Sequence, residues 1–118
     1  MPLLFIATMD TSTLVNIVQV AKCTVRIKLN SRLDASSWSW IIIPVPGYIE
    51  LGSVGPWPIR EVEWLEINPI ATEYIGRLVA PRILDNLSQL EVALREANLP
   101  YTVLDAVIRI TFSEDYSS

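Results

Sequence analysis

The chain has 118 residues, 51% of them hydrophobic and 19% charged, with a formal charge of −4, no histidine and a single cysteine. That length suits one domain, expected over residues 1–118 with a flexible tail at 113–118, and the apolar content excludes a disordered or collagen-like chain. Without histidine there is no Ser-His-Asp or Cys-His relay, and one cysteine alone cannot close a tetrahedral zinc site.

Leu3–Thr8 reads as a short, nearly all-apolar strand. No basic residue precedes it and Asp10 ends it early, so it does not read as a secretory signal. No apolar run approaches the ~18–20 residues that span a bilayer, and a cytoplasmic location is expected. The lone thiol of Cys23 fits a reducing compartment. Asp10, Thr11, Ser12 and Thr13 favour caps and turns. The β-branched residues Val15, Ile17, Val18 and Val20 then favour a strand over 14–21, although Asn16, Gln19 and Lys22, three apart, also allow a short helix.

Residues 24–29 alternate, with Val25, Ile27 and Leu29 on one face and Thr24, Arg26 and Lys28 on the other. Asn30–Ser37 is a polar loop. Trp38–Val45 is an apolar strand that Pro44 and Pro46 push toward a sheet edge. Tyr48–Leu51 follows as a short return strand, and Gly52–Pro58 as a loop. Arg60–Ile67 resumes as strand, but its parity reverses at Leu65-Glu66-Ile67, which implies a bulge or a two-sided edge.

Asn68-Pro69 marks a turn or a helix entry, and Ala71–Val79 places Tyr74, Ile75, Leu78 and Val79 together on a helix. Ile83, Leu87, Leu90, Leu94 and Ala97 form one stripe of a second helix that Pro81 opens and Asn98 closes. Tyr101–Phe112 is a long final strand, with Ile108, Ile110 and Phe112 on one face and Arg109 and Thr111 on the other. The sum is an α+β fold, a single layer of mainly antiparallel sheet with five or six strands, packed by helix from residues 70–97.

Residues 1–60 carry five cations (Lys22, Arg26, Lys28, Arg32, Arg60) against Asp10, Asp34 and Glu50, giving +2, while residues 61–118 carry four arginines against ten carboxylates, giving −6. Such a chain has no field for bulk nucleic-acid binding. The side chains suited to contact are Trp38, Trp40 and Trp57, with Arg26 and Lys28 of the basic stripe able to receive a carboxylate or phosphate. Glu61 and Glu63, two apart, share a strand face, and with Glu66 they could either hold a metal or pair across strands with Lys22, Arg26 or Lys28.

Tyr48–Ser53, the alternation of Glu61 and Glu63, and the helix leading into Leu99–Asp105 together resemble a minimal nucleotidyltransferase. The resemblance implies that Ser53 meets nucleotide phosphates and that Glu61, Glu63 and Asp105 hold magnesium for in-line transfer. Glu stands where that family has its Asp pair, and Asp105 falls one residue late, which on a strand reverses its face and favours an inactive relative. The residues themselves favour a non-enzymatic homo-oligomer, its apolar surplus covered by self-association, a protein partner or a small apolar ligand. A carboxylate- and magnesium-dependent enzyme, and an immunity-type or accessory inhibitor, are the alternatives.

Overall fold

The computed structural model describes residues 11–41, 48–52 and 55–112. The strand expected at Leu3–Thr8, the proline-containing end of the Trp38–Val45 segment and the C-terminal tail lie outside them. Among the described residues, two α-helices and eight strands in three antiparallel sheets form an α+β fold.

Thr11–Ala21 is a helix, α1, which corrects the strand expected at 14–21. Leu14, Val15, Val18 and Ala21 are buried while Val20 stays 64% exposed. Those four lie on one face of a helix, whereas a strand would split Leu14 and Val15 between opposite faces. Their burial outweighs the few tenths of a kcal/mol by which each β-branched residue disfavours a helix. Lys22 leaves α1 in the left-handed region at φ 56°. Its N–H reaches the Gln19 carbonyl and that of Cys23 reaches Val18, the paired bonds of a Schellman stop.

Val25–Leu29 forms β1, buried and half-buried in strict alternation as expected. Beyond the polar loop, the segment expected as a strand from Trp38 is held by isolated bridges, Val25 to Ser39 and Ile41 to Leu51. Tyr48–Ile49 (β2) pairs with Trp57–Pro58 (β3), so the loop expected over 52–58 ends in a strand. A 3-10 turn, Ile59–Glu61, leads into β4, Val62–Ile67. The parity reversal in β4 is a bulge: Lys28 faces Trp64 and Leu29 faces Val62, leaving Glu63 as the extra residue.

The helix expected at 71–79 is instead a hairpin, β5 (Ile70–Glu73) and β6 (Arg82–Asp85). Asn68 Oδ1 accepts the Ile70 N–H at 3.0 Å, an Asx turn that starts a strand where a helix cap was expected. Ile83 belongs to β6, so the second helix, α2, is shorter than its stripe suggested, Leu87–Glu96, burying Leu90 and Leu94. Asn98 does close it, at φ 58°. The bonds from Asn98 to Arg95 and from Leu99 to Leu94 repeat the Schellman stop of α1. The long last strand is also a hairpin, β7 (Thr102–Leu104) and β8 (Val107–Thr111), reversed at Asp105-Ala106 with both φ positive.

The main sheet has the order β1-β4-β8-β7, antiparallel throughout. Its inner face (Val25, Ile27, Leu65, Ile67, Ile108, Ile110) is continuous with Leu14, Val15 and Val18 of α1 and Leu90 and Leu94 of α2 in one buried cluster. Asn86 Nδ2 donates to the Ala21 carbonyl at 2.8 Å, tying the start of α2 to the end of α1. With both helices on the inner face, the polar residues of β1, β4 and β8 are left on the outer one.

Candidate functional site

Strand register alone brings three charged residues into a row across the outer face: Arg26 on β1 faces Glu66 on β4, and Glu66 faces Arg109 on β8. Arg26 Nε donates to Glu66 Oε1 at 2.8 Å, while Arg109 donates through Nε at 2.9 Å and Nη2 at 2.8 Å to Oε2. Among the described residues Glu66 is the one buried charged side chain, 4% exposed, and both of its oxygens are taken. The two arginines keep 35% and 32% of their side chains exposed, so the carboxylate lies beneath and the guanidiniums reach solvent.

Each guanidinium also rests on an indole. Arg26 stacks 4.6 Å from the Trp38 ring and Arg109 4.3 Å from the Trp64 ring, both within cation–π range. Trp64 shares the outer face of β4 with Glu66 and is itself buried, at 7% exposure. Trp38 reaches Arg26 because its segment is bound along the free edge of β1. Ser39 exchanges backbone bonds with Val25 at 2.8 and 2.9 Å, and Ser36 both donates to the Ile27 carbonyl and accepts the Ile27 N–H. Trp40, two residues further along, is 60% exposed.

Lys28 donates to Glu63, the bulge residue, beside the row. The cluster therefore holds three cations (Arg26, Lys28, Arg109) against two carboxylates (Glu63, Glu66), a surplus of +1 on a chain whose total is −4. Ion pairs and stacking hold these side chains in place, while the outer guanidinium nitrogens are left without a protein partner among the described residues. Such an arrangement suits the receipt of an anion, with aromatic surface beside it.

Of the residues singled out from sequence, Arg26 and Trp38 meet directly and Lys28 lies next to them, while Trp57 lies apart. Trp57 is half-buried in β3 and lines a cavity of about 250 Å³ with Ile27, Leu29, Leu33 and Asp34, opening on the inner-face side of β1. Glu66 is one of three acidic residues that the sequence singles out, whereas no motif points to Arg109 or Trp64 as site residues. Their signal was the parity break in β4. Once Glu63 is taken as a bulge, Trp64 and Glu66 fall on the same face as Arg26, Lys28 and Arg109.

The magnesium trio expected from the nucleotidyltransferase resemblance is not assembled. Glu61 ends the turn before β4, whereas Asp105 sits in the β7–β8 turn beyond the other end of that strand. Six residues of β4 separate those ends by about 20 Å, at ~3.3 Å per residue. Among the described residues no three acidic or cysteine side chains group to hold a metal ion. Ser53 lies outside the described residues.

Residues 19–112 match the model of a family of unknown function, DUF6678. The chain belongs to that family. The matched span runs from the last turn of α1 through β8 and so includes every residue of the outer-face row. No curated protein and no solved structure matches the chain. No described helix is long and apolar enough to cross a membrane.

Proposed function

We propose that this DUF6678 protein is a non-catalytic binding protein of the cytoplasm that receives an acidic segment of a protein partner on the outer face of its main sheet. The observation that carries this reading is the Arg26–Glu66–Arg109 row stacked on Trp38 and Trp64. Arginine and tryptophan are the residue types that dominate interface energetics, and a guanidinium already fixed in place loses little entropy on meeting a carboxylate. The buried carboxylate is fully engaged in structure, and Glu61, Glu63 and Asp105 lie apart, which favours binding over a reaction. Acidic rather than nucleic-acid recognition follows from charge: a surplus of one on a chain of −4 supplies too little field for phosphate-backbone binding. The lone cysteine, Cys23, is free and buried, which is compatible with a cytoplasmic location.

The test is a tryptophan-fluorescence titration with a Glu/Asp-rich peptide, a Lys-rich peptide and a single-stranded oligonucleotide. A saturable change is expected with the acidic peptide alone, weakened by salt. Trp40→Ala should weaken it roughly tenfold, the effect of losing a little over 1 kcal/mol at an interface. Equal binding of the Lys-rich peptide, tighter binding of the oligonucleotide, or an unchanged affinity in Trp40→Ala would overturn the reading.

A further inference from the structure

The hairpin β5–β6 and its connecting loop concentrate the exposed apolar surface of the described chain. Ile70 is 45% exposed, Tyr74 78%, Ile75 58%, Leu78 101%, Val79 56% and Ile83 64%. Register explains the strand residues. Ala71 faces Leu84 and turns toward the core, so Ile70 and Ile83 stand on the opposite face, away from the rest of the molecule. The base is anchored by Ala71 in the core, by Leu84 packed against it and by the Asn86 N–H on the Pro69 carbonyl at 2.9 Å. The Glu73–Arg82 ion pair joins the strands above it. The base of the arm is thus anchored, while among the described residues the apolar side chains of its outer face and loop stay exposed.

We propose that this face is where a second copy of the chain docks, arm against arm about a two-fold axis. Two features select that occupant. The six side chains expose on the order of several hundred Å² per copy, approaching the roughly 800 Å² that each partner gives to a stable interface. Copies of a chain carrying −4 repel one another, yet residues 70–85 hold Glu73 and Asp85 against Arg77 and Arg82, a net charge of zero. The neutral, apolar arm is therefore a place where two such chains meet with little electrostatic cost. The outer face of the main sheet stays open in this assembly, so the inference stands independently of acidic-partner binding.

Sedimentation equilibrium on the full chain tests it, comparing wild type, Leu78→Asp with Ile83→Asp, and a control, Leu33→Asp, exposed elsewhere. The wild type and the control are expected to reach twice the chain mass in the micromolar range, with the arm variant at least tenfold weaker. A wild type that stays at single-chain mass to high micromolar concentration overturns the proposal, as does an arm variant that dimerises like wild type. Should the variant fail to fold, hydrogen exchange of the wild type at low and high concentration replaces it. Slowing confined to 70–85 supports the arm contact, and slowing elsewhere or none overturns it. A monomeric wild type that pellets with phosphatidylcholine vesicles would assign the arm to a lipid surface and also overturn it.

Discussion

Glu66 holds the outer face together through one carboxylate, with Arg26 on one oxygen and Arg109 on the other. Removing it leaves two guanidiniums without their counter-charge, partly relieved because each is about a third exposed. Glu66→Ala is therefore expected to cost about 2–3 kcal/mol in urea unfolding, below the range for a fully buried pair broken on one side. Glu63→Ala breaks a pair whose carboxylate is 41% exposed and should cost under about 1 kcal/mol. Equal costs would mean that Glu66 is not the anchor. Cys23 is buried and its Sγ lies 3.5 Å from the Ala21 carbonyl. Burial pushes its thiol up from the ordinary value, opposed by the contact with Asn86. A folded-state value above the unfolded one gives a contribution present at neutral pH and lost as pH rises into the alkaline range. Iodoacetamide should accordingly label Cys23 only as fast as the chain unfolds, with prompt labelling in native buffer as the contrary result. At this scale the sequence was informative about Arg26 and Lys28, whose alternation with Val25, Ile27 and Leu29 needs no tertiary knowledge. The stacking of Trp38 depends on Ser36 and Ser39 bonding the edge of β1, a long-range contact that no local pattern encodes.

Two elements exchanged identities between sequence and structure, and both did so for one reason. Residues 14–21 are β-branched yet helical, and residues 71–79 read as helical yet begin as a strand, because partners far along the chain decide which face is buried. The alternating strand 25–29 and the Leu90–Leu94 stripe were legible because their period agrees with their environment. The final strand was read without its turn, since Asp105-Ala106 lacks the glycine that usually announces a two-residue hairpin. That absence has a consequence for stability. Ala106 sits at φ 63° and Lys22 at φ 56°, in a region that favours glycine. Ala106→Gly and Lys22→Gly should each raise stability by about 0.5–1 kcal/mol in thermal unfolding, relief of left-handed strain exceeding the flexibility gained by the unfolded chain. A loss of stability in both would show that neither position is strained.

The whole molecule separates its surfaces. One face of the main sheet is consumed by the helices and the core, the other displays the charged and aromatic row, and the β5–β6 arm carries the apolar surplus. Composition anticipated that surplus. It could not anticipate that the surplus gathers on a hairpin, because the spacing over 71–79 implies a helix. The acidic excess of residues 61–118 likewise hid the local surplus of positive charge, which arises only when Arg109 crosses the sheet to join Arg26 and Lys28. Binding at that row is the central claim, and nuclear magnetic resonance reads it most directly, since the four indole N–H signals and the arginine Nε–H signals report on named side chains. On titration with a Glu/Asp-rich peptide, the account predicts saturable shifts at the Trp38 and Trp40 indoles and at the Arg26 and Arg109 Nε–H groups, with Trp57 unmoved. Shifts gathered at Trp57 and residues 32–36, or none at the arginine row, would contradict it.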